Sequence, residues 1–262
     1  MTLISNEIYL LDNLKNSFIV SSADRRLTYR KVANPKEKYI SRKKLFKIDY
    51  LNSTVSFWGA TMLKNEKGDN ELLSDWLPKF IRNRHYHTAL LDFAFDLKTE
   101  LNRRMLKPDL KKEPSGFHFS GLRNDFVPEF IHFSNCGFDE KTGNYGNILS
   151  EYRDPSQDFL ERDAFEFGWD GINPSSFRPS SNIRLYRNGD IKAHSAAWNK
   201  MDEVFNLIFS YKDFNRPNLK LDTDILKLTR QKLTFISSIY NSWAKTKIVG
   251  APWDIVILRN KG

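Results

Sequence analysis

A chain of 262 residues with 40% hydrophobic, 28% charged and 14% aromatic residues carries enough apolar side chain for one large folded domain or two smaller ones, and excludes wholesale disorder. A formal charge of +9 admits nucleic acid or an anionic surface as a partner, but the basic residues are dispersed and their densest clusters, Arg42-Lys43-Lys44 and Lys111-Lys112, are short; no zinc-finger spacing or RNA-binding aromatic motif accompanies them. No apolar run approaches the roughly 20 residues that span a bilayer, no basic-then-apolar leader opens the chain, and a lone cysteine, Cys136, has no internal disulfide partner, so the expectation is a cytoplasmic protein without membrane association.

No Gly/Ser-rich or proline-rich linker divides the sequence, which predicts a single domain over residues 1–262. Residues 3 to 10 and 17 to 24 are rich in β-branched and apolar side chains and read as two strands, with Asp12-Asn13-Leu14-Lys15-Asn16 supplying the turn. A turn centred near positions 13 and 14 pairs residues whose numbers sum to about 27, and so sets Thr2 against the Asp24-Arg25 region. Two further strands, Leu45 to Asp49 and Val55 to Ala60, flank a short connection at Leu51-Asn52-Ser53 and form a second hairpin.

Helical periodicity follows. Trp76, Leu77, Phe80 and Ile81 share a face between Ser74 and Arg84, and Leu90, Phe93, Leu97 and Leu101 make one stripe between Thr88 and Lys107. A second β block begins at Gly116: Phe117 to Gly121 and Phe130 to Phe133 alternate around a turn at Asn124-Asp125, which predicts another hairpin. His118 and His132 fall on these strands. Solvent-facing histidines are the ordinary reading, and a cross-strand metal pair is the sharper alternative.

Residues 137 to 182 are Gly/Pro-containing and acidic, and read as a partly structured insertion. Asn188-Gly189 predicts a tight turn inside a strand pair from Ile183 to Ala193. Ser195 caps a helix with Trp198, Met201, Phe205 and Ile208 on one side, and Thr223 to Thr246 forms a longer helix with Leu226, Leu233, Ile236, Tyr240 and Trp243 as its core stripe. A last strand spans Asp254 to Leu258. This order suits an α+β fold, a four-layer αββα sandwich of two antiparallel sheets with helices outside each.

Four stretches carry a family resemblance: Phe18-Ile19-Val20-Ser21-Ser22-Ala23-Asp24-Arg25-Arg26, Lys44-Leu45-Phe46-Lys47-Ile48, Val55-Ser56-Phe57-Trp58-Gly59-Ala60, and the terminal Val249-Gly250-Ala251-Pro252-Trp253-Asp254. Together they resemble proteasome-type β subunits and their bacterial relatives, members of the N-terminal nucleophile (Ntn) hydrolases. The resemblance implies a threonine peptidase or related amide hydrolase that works without metal or cofactor, acts on a peptide or other amide, and assembles as a homo-oligomeric ring. It assigns Thr2, once Met1 is removed, as nucleophile and base in one residue. Asp24 orients the site, Lys44 keeps the terminal amine neutral, and Gly59 offers an N–H to the oxyanion. Two departures stand out. The interval from position 2 to position 24 is longer than usual in the family, and the family's later Ser-Gly and Asp-x-x-Ser elements have no counterpart. The alternative is a catalytically inactive chain of the same fold that serves as a binding or scaffold protein, nucleic acid being one partner it admits. Lys44 as a surface lysine beside Lys43, and Gly59 as a packing glycine, are the corresponding plain readings of single residues.

Overall fold

The computed structural model describes residues 3–9, 16–28, 39–125, 127–139, 144–156, 183–189, 201, 203–244 and 249–260. In chain order they form strands β1 (Leu3–Tyr9), β2 (Phe18–Asp24), β3 (Arg26–Thr28), β4 (Tyr39–Ser41), β5 (Leu45–Ile48), β6 (Ser53–Trp58), β7 (Met62–Lys64) and β8 (Asn70–Leu72). Helices α1 (Leu73–Arg82), α2 (Leu90–Arg104) and α3 (Lys107–Leu110) follow. Then come β9 (Gly116–Leu122), β10 (Pro128–Ser134), β11 (Cys136–Asp139), β12 (Asn144–Ile148), β13 (Ile183–Gly189), the long helix α4 (Asp222–Trp243) and β14 (Trp253–Arg259). The class is α+β with antiparallel sheets throughout.

The larger sheets have four strands each, ordered β13-β1-β2-β14 and β10-β9-β6-β5. The first hairpin has the expected register: Ile4 pairs with Ala23 and Ile8 with Ile19, each pair summing to 27. β5 and β6 pair through Leu45 and Ser56, with a 3₁₀ turn at Asp49–Leu51 and Asn52 in the left-handed region between them. β9 and β10 pair His118 with His132.

Strand alternation assigns each face. On β1, Leu3 packs with Leu233, Ile236 and Tyr240 of α4, while Ile4 and Ile8 turn the other way, toward Leu45 and Trp58 and toward Leu122 and Phe130 of the second sheet. On the second sheet, Phe57, Phe117, Phe119 and Phe133 pack with Trp76 and Phe80 of α1 and Phe93 and Leu97 of α2. Glu7, on the α4 side of β1, accepts hydrogen bonds from Lys232 Nζ and Tyr9 Oη, both at 2.9 Å, in a buried ion pair that fastens the helix to the sheet.

The contact between the sheets is polar at its centre. Asn6 Oδ1 accepts from Ser21 Oγ at 2.8 Å and from Ser120 Oγ at 2.9 Å, and Thr54 Oγ1 lies 2.8 Å from Ser21 Oγ and 3.0 Å from Ser120 Oγ. With the Ser21 and Ser120 protons spent on Asn6, Thr54 is left to donate its single proton to one of these two neighbours. Asn6 Nδ2 then donates to His118 Nδ1 at 3.2 Å, which places the imidazole proton on Nε2.

Several expectations are corrected. His118 and His132 are buried rather than solvent-facing, because their positions on β9 and β10 share the face that meets the first sheet. Asn188-Gly189 is no turn: both residues belong to β13, where Gly189 pairs with Leu3 and Asn188 with Ile4, so long-range pairing overrides the local turn preference. The insertion opens with the hairpin β11–β12, and residues 157–182 lie outside the described residues, as do Ser195 and Trp198. Trp243, assigned to the core stripe of α4, is 86% exposed at the helix end. β3, β4, β7, β8 and α3 carry too little periodicity to be expected from sequence. Among the described residues no helix is long and apolar enough to cross a membrane, and no cluster of His, Cys, Asp and Glu has the makings of a metal site.

Candidate active site

At one end of the first sheet the β1–β2 ladder meets the start of β5. Asp24 ends β2 and Lys44 immediately precedes β5; both side chains are fully buried, with Lys44 Nζ 2.9 Å from Asp24 Oδ1. Lys44 Nζ also donates to Arg26 O at 2.5 Å, so two oxygens anchor the ammonium. The plain reading of Lys44 as a surface side chain is excluded, while Lys43 beside it is exposed, its Nζ over the Phe46 ring. One strand position separates these two fates, and only the register decides which lysine turns inward.

Asp24 serves more than Lys44. Its Oδ1 accepts from Leu3 N at 2.9 Å and its Oδ2 from Arg26 N at 3.3 Å. Three N–H groups therefore converge on one carboxylate, the geometry that an ionised aspartate fits. Burial pushes the Asp24 carboxyl above its ordinary range, against the Lys44 charge and the N–H groups of Leu3 and Arg26; burial likewise pulls the Lys44 ammonium down, against the attraction of Asp24. Each charge depends on the other.

Thr2 lies outside the described residues. Its neighbour Leu3 is held by the Asp24 carboxylate, and Ile4 is in register with Ala23. Gly59, just past β6, is placed by backbone demands: its φ is +80°, and a Cβ there would come within 2.2 Å of Pro114 O and 2.6 Å of Ser115 Cα. Phe57 N donates to Lys44 O at 3.2 Å, so β6 runs beside the Lys44 segment as it approaches Gly59. Asp24 and Lys44 are thus in contact, and Gly59 follows the strand that borders Lys44.

The charges next to Asp24 and the partners they find complete the surroundings. Arg25 donates through Nε and Nη2 to Asp254 Oδ1, at 2.9 and 2.5 Å. Asp254 is buried in β14, in register with Ala23, and its Oδ2 has no hydrogen-bond partner among the described residues. Arg26 is buried and donates to Val249 O and Asn241 Oδ1, both at 3.3 Å; Gly250 leaves room for it, since a Cβ there would lie 2.4 Å from the guanidinium. Asp254 was hidden because its partner Arg25 is 229 residues away in the chain, and no local pattern encodes that register. The run Asp24-Arg25-Arg26 was the available signal, and the structure resolves it into three directions: into the Lys44 pair, toward β14, and toward the 249–250 segment. Comparison with protein-family models finds no match to this chain, and no curated protein matches it significantly.

Proposed function

We propose that the chain is an N-terminal-threonine amide hydrolase of the Ntn type, a proteasome-like peptidase active after removal of Met1, built as a four-layer αββα sandwich. The observation that carries the reading is the hydrogen bond from Leu3 N to Asp24 Oδ1, which fastens the residue next to Thr2 onto the buried Asp24–Lys44 pair. Supporting the architecture are the two four-stranded antiparallel sheets, whose facing side chains interdigitate, with α1 and α2 against one and α4 against the other.

In this reading the Thr2 hydroxyl oxygen adds to the substrate carbonyl carbon and gives its proton to the Thr2 amine. The nearby Lys44 charge keeps that amine neutral at rest, because a second positive charge beside an ammonium is unfavourable. Negative charge on the carbonyl oxygen meets the Gly59 N–H, a kind of contact worth roughly 3 kcal/mol in other hydrolases. The C–N bond breaks, the leaving amine takes the proton, and water then cleaves the threonine ester to give the acid and restore the hydroxyl.

The test is intact and peptide mass spectrometry of the purified protein after exposure to a threonine-directed electrophile. The expected result is a chain beginning at Thr2 with one adduct on that residue, lost in Thr2→Ala. Retention of Met1, or an adduct unchanged by Thr2→Ala, overturns the reading in favour of a binding or scaffold role. Light scattering tests the ring, and a monomeric mass counts against it.

A further inference from the structure

Ser53 opens β6, at the opposite end of that strand from Gly59. It pairs with Gly121 of β9, and Gly121 pairs in turn with Glu129 of β10. The three residues form a row across the second sheet, and the missing side chain at its centre leaves a gap. A Cβ on Gly121 would meet Ser53 Cβ at 2.9 Å, Leu90 Cδ2 at 3.0 Å and Glu129 Oε1 at 3.4 Å. A serine and a carboxylate therefore border one small space beside the first residue of α2. Ser53 is fully buried, and its Oγ has no hydrogen-bond partner among the described residues.

A cleft of about 480 Å³ opens at this end of the sheet, with Asp49, Asn52, Arg123, Asn124 and Glu129 in its wall, a volume that suits a small molecule. Most of its charges are already matched. Arg123 is committed to Asp125, Nε to Oδ1 at 3.0 Å and Nη2 to Oδ2 at 2.5 Å, and Asp49 pairs with Lys47 at 2.7 Å. Glu129 is half-buried and has neither an ion pair nor a hydrogen bond among the described residues. Burial pushes its carboxyl above the ordinary range, while the Arg123 charge pulls it down and the Asp125 charge pushes it up. Asn52 spends its Nδ2 on Arg259 O at 3.1 Å, which leaves its Oδ1 as an acceptor. The cleft thus combines acceptors that lack donors with an arginine whose own donors are spent.

We propose that this cleft is a further binding site, for a small molecule that bears a guanidinium group, with Glu129 as its carboxylate partner. A guanidinium carries five N–H donors and no acceptor, in a planar fork that matches a carboxylate. Two of those N–H groups take Glu129, and the others suit neutral oxygens such as Asn52 Oδ1. The length of β6, roughly 20 Å, separates this site from Gly59, and the assignment is independent of the hydrolase reading.

The experiment is a pair of ligand-observed NMR titrations of the full-length protein, one with butylguanidinium and one with butylurea, its uncharged isostere. Butylguanidinium is expected to bind about tenfold tighter, the difference between a charged and a neutral hydrogen bond. Glu129→Gln keeps the size of the side chain and brings the ratio to about one. Asn124→Lys, at an exposed position of the wall, supplies the cleft with an ammonium of its own and likewise removes the preference. Glu71→Gln, which breaks an ion pair with Lys79 away from the cleft, retains it. Thermal unfolding establishes that each variant is folded. Equal binding of the two probes by the wild type, absence of butylguanidinium binding at millimolar concentration, or a preference that survives either substitution in the cleft overturns the assignment. None of these outcomes touches the hydrolase reading.

Discussion

Lys44 Nζ and Asp24 Oδ1 lie 2.9 Å apart with neither side chain exposed, and the same carboxylate oxygen accepts the N–H of Leu3. A pair removed so completely from water is bound by mutual need, since either charge alone would sit unneutralised in the interior. Lys44→Met or Asp24→Ala is therefore expected to destabilise the protein by about 3–5 kcal/mol. The double variant should lose less than the sum of the singles, and urea unfolding of all four proteins measures the coupling.

Gly59 is held by two constraints, a φ of +80° and a 2.2 Å approach of Pro114 O to the position a Cβ would occupy. Gly59→Ala combines backbone strain with a clash against main chain that has no rotamer to yield. A loss of at least about 2 kcal/mol is expected, read as a lower urea midpoint with unchanged m-value.

Asn6 joins the two sheets by accepting from Ser21 and Ser120 and donating to His118. Asn6→Ala takes the shared acceptor from two buried hydroxyls, which keep only each other and Thr54, and the donor from one imidazole nitrogen, and should lower stability by roughly 3 kcal/mol. Ser21→Ala removes one donor and leaves Ser120 on Asn6, so about 1 kcal/mol is expected. Thermal unfolding of the two variants side by side tests the ranking.

Acid sensitivity follows from the same interface. Burial pulls His118 down to about 3 from an ordinary 6.5 and pulls His132 well below it, with the His118 and Arg153 charges adding to the latter shift. Because the folded values are depressed, their stabilisation is complete above pH 6.5 and is lost as pH falls toward 3. The Arg103 and Arg104 guanidiniums hold Glu100 near 2 against an ordinary 4.5, which extends the loss through the lower part of that range. Unfolding free energy measured from pH 7 to 4 should fall by up to about 1.4 kcal/mol per pH unit for each histidine. His118→Gln, which keeps an acceptor for Asn6, is expected to remove one histidine's share of the slope.

Local chemistry was enough for the hairpins at the start of the chain. Period-two alternation around the Asp12 to Asn16 turn residues specifies the sum-of-27 register, because a slip of one residue would turn Ile4 and Ile8 away from Leu45 and Leu122 and expose Leu3 to the wrong neighbours. The stripes of α1 and α2 were equally legible, since a 3.6-residue period needs nothing beyond the segment itself. The run Asp24-Arg25-Arg26 and the Lys43-Lys44 pair announced a charged corner without revealing which charges would meet.

Tertiary structure decided what those charges face. Whether Lys44 or Lys43 turns inward depends on how β5 pairs with β6, and the partner of Arg25 depends on a β14–β2 register that closes a loop of more than 200 residues. Asn188-Gly189 carries the dipeptide of a tight turn, yet pairing with β1 along seven residues outweighs a two-residue preference. The burial of His118 and His132 was likewise invisible, because alternation states that two faces differ without naming the sheet that will cover one of them. Sequence determined the long strands and helices and which of their residues share a face, but not the short elements β3, β4, β7, β8 and α3. The folded chain determined which faces meet, and so which side chains lose their water and must find one another.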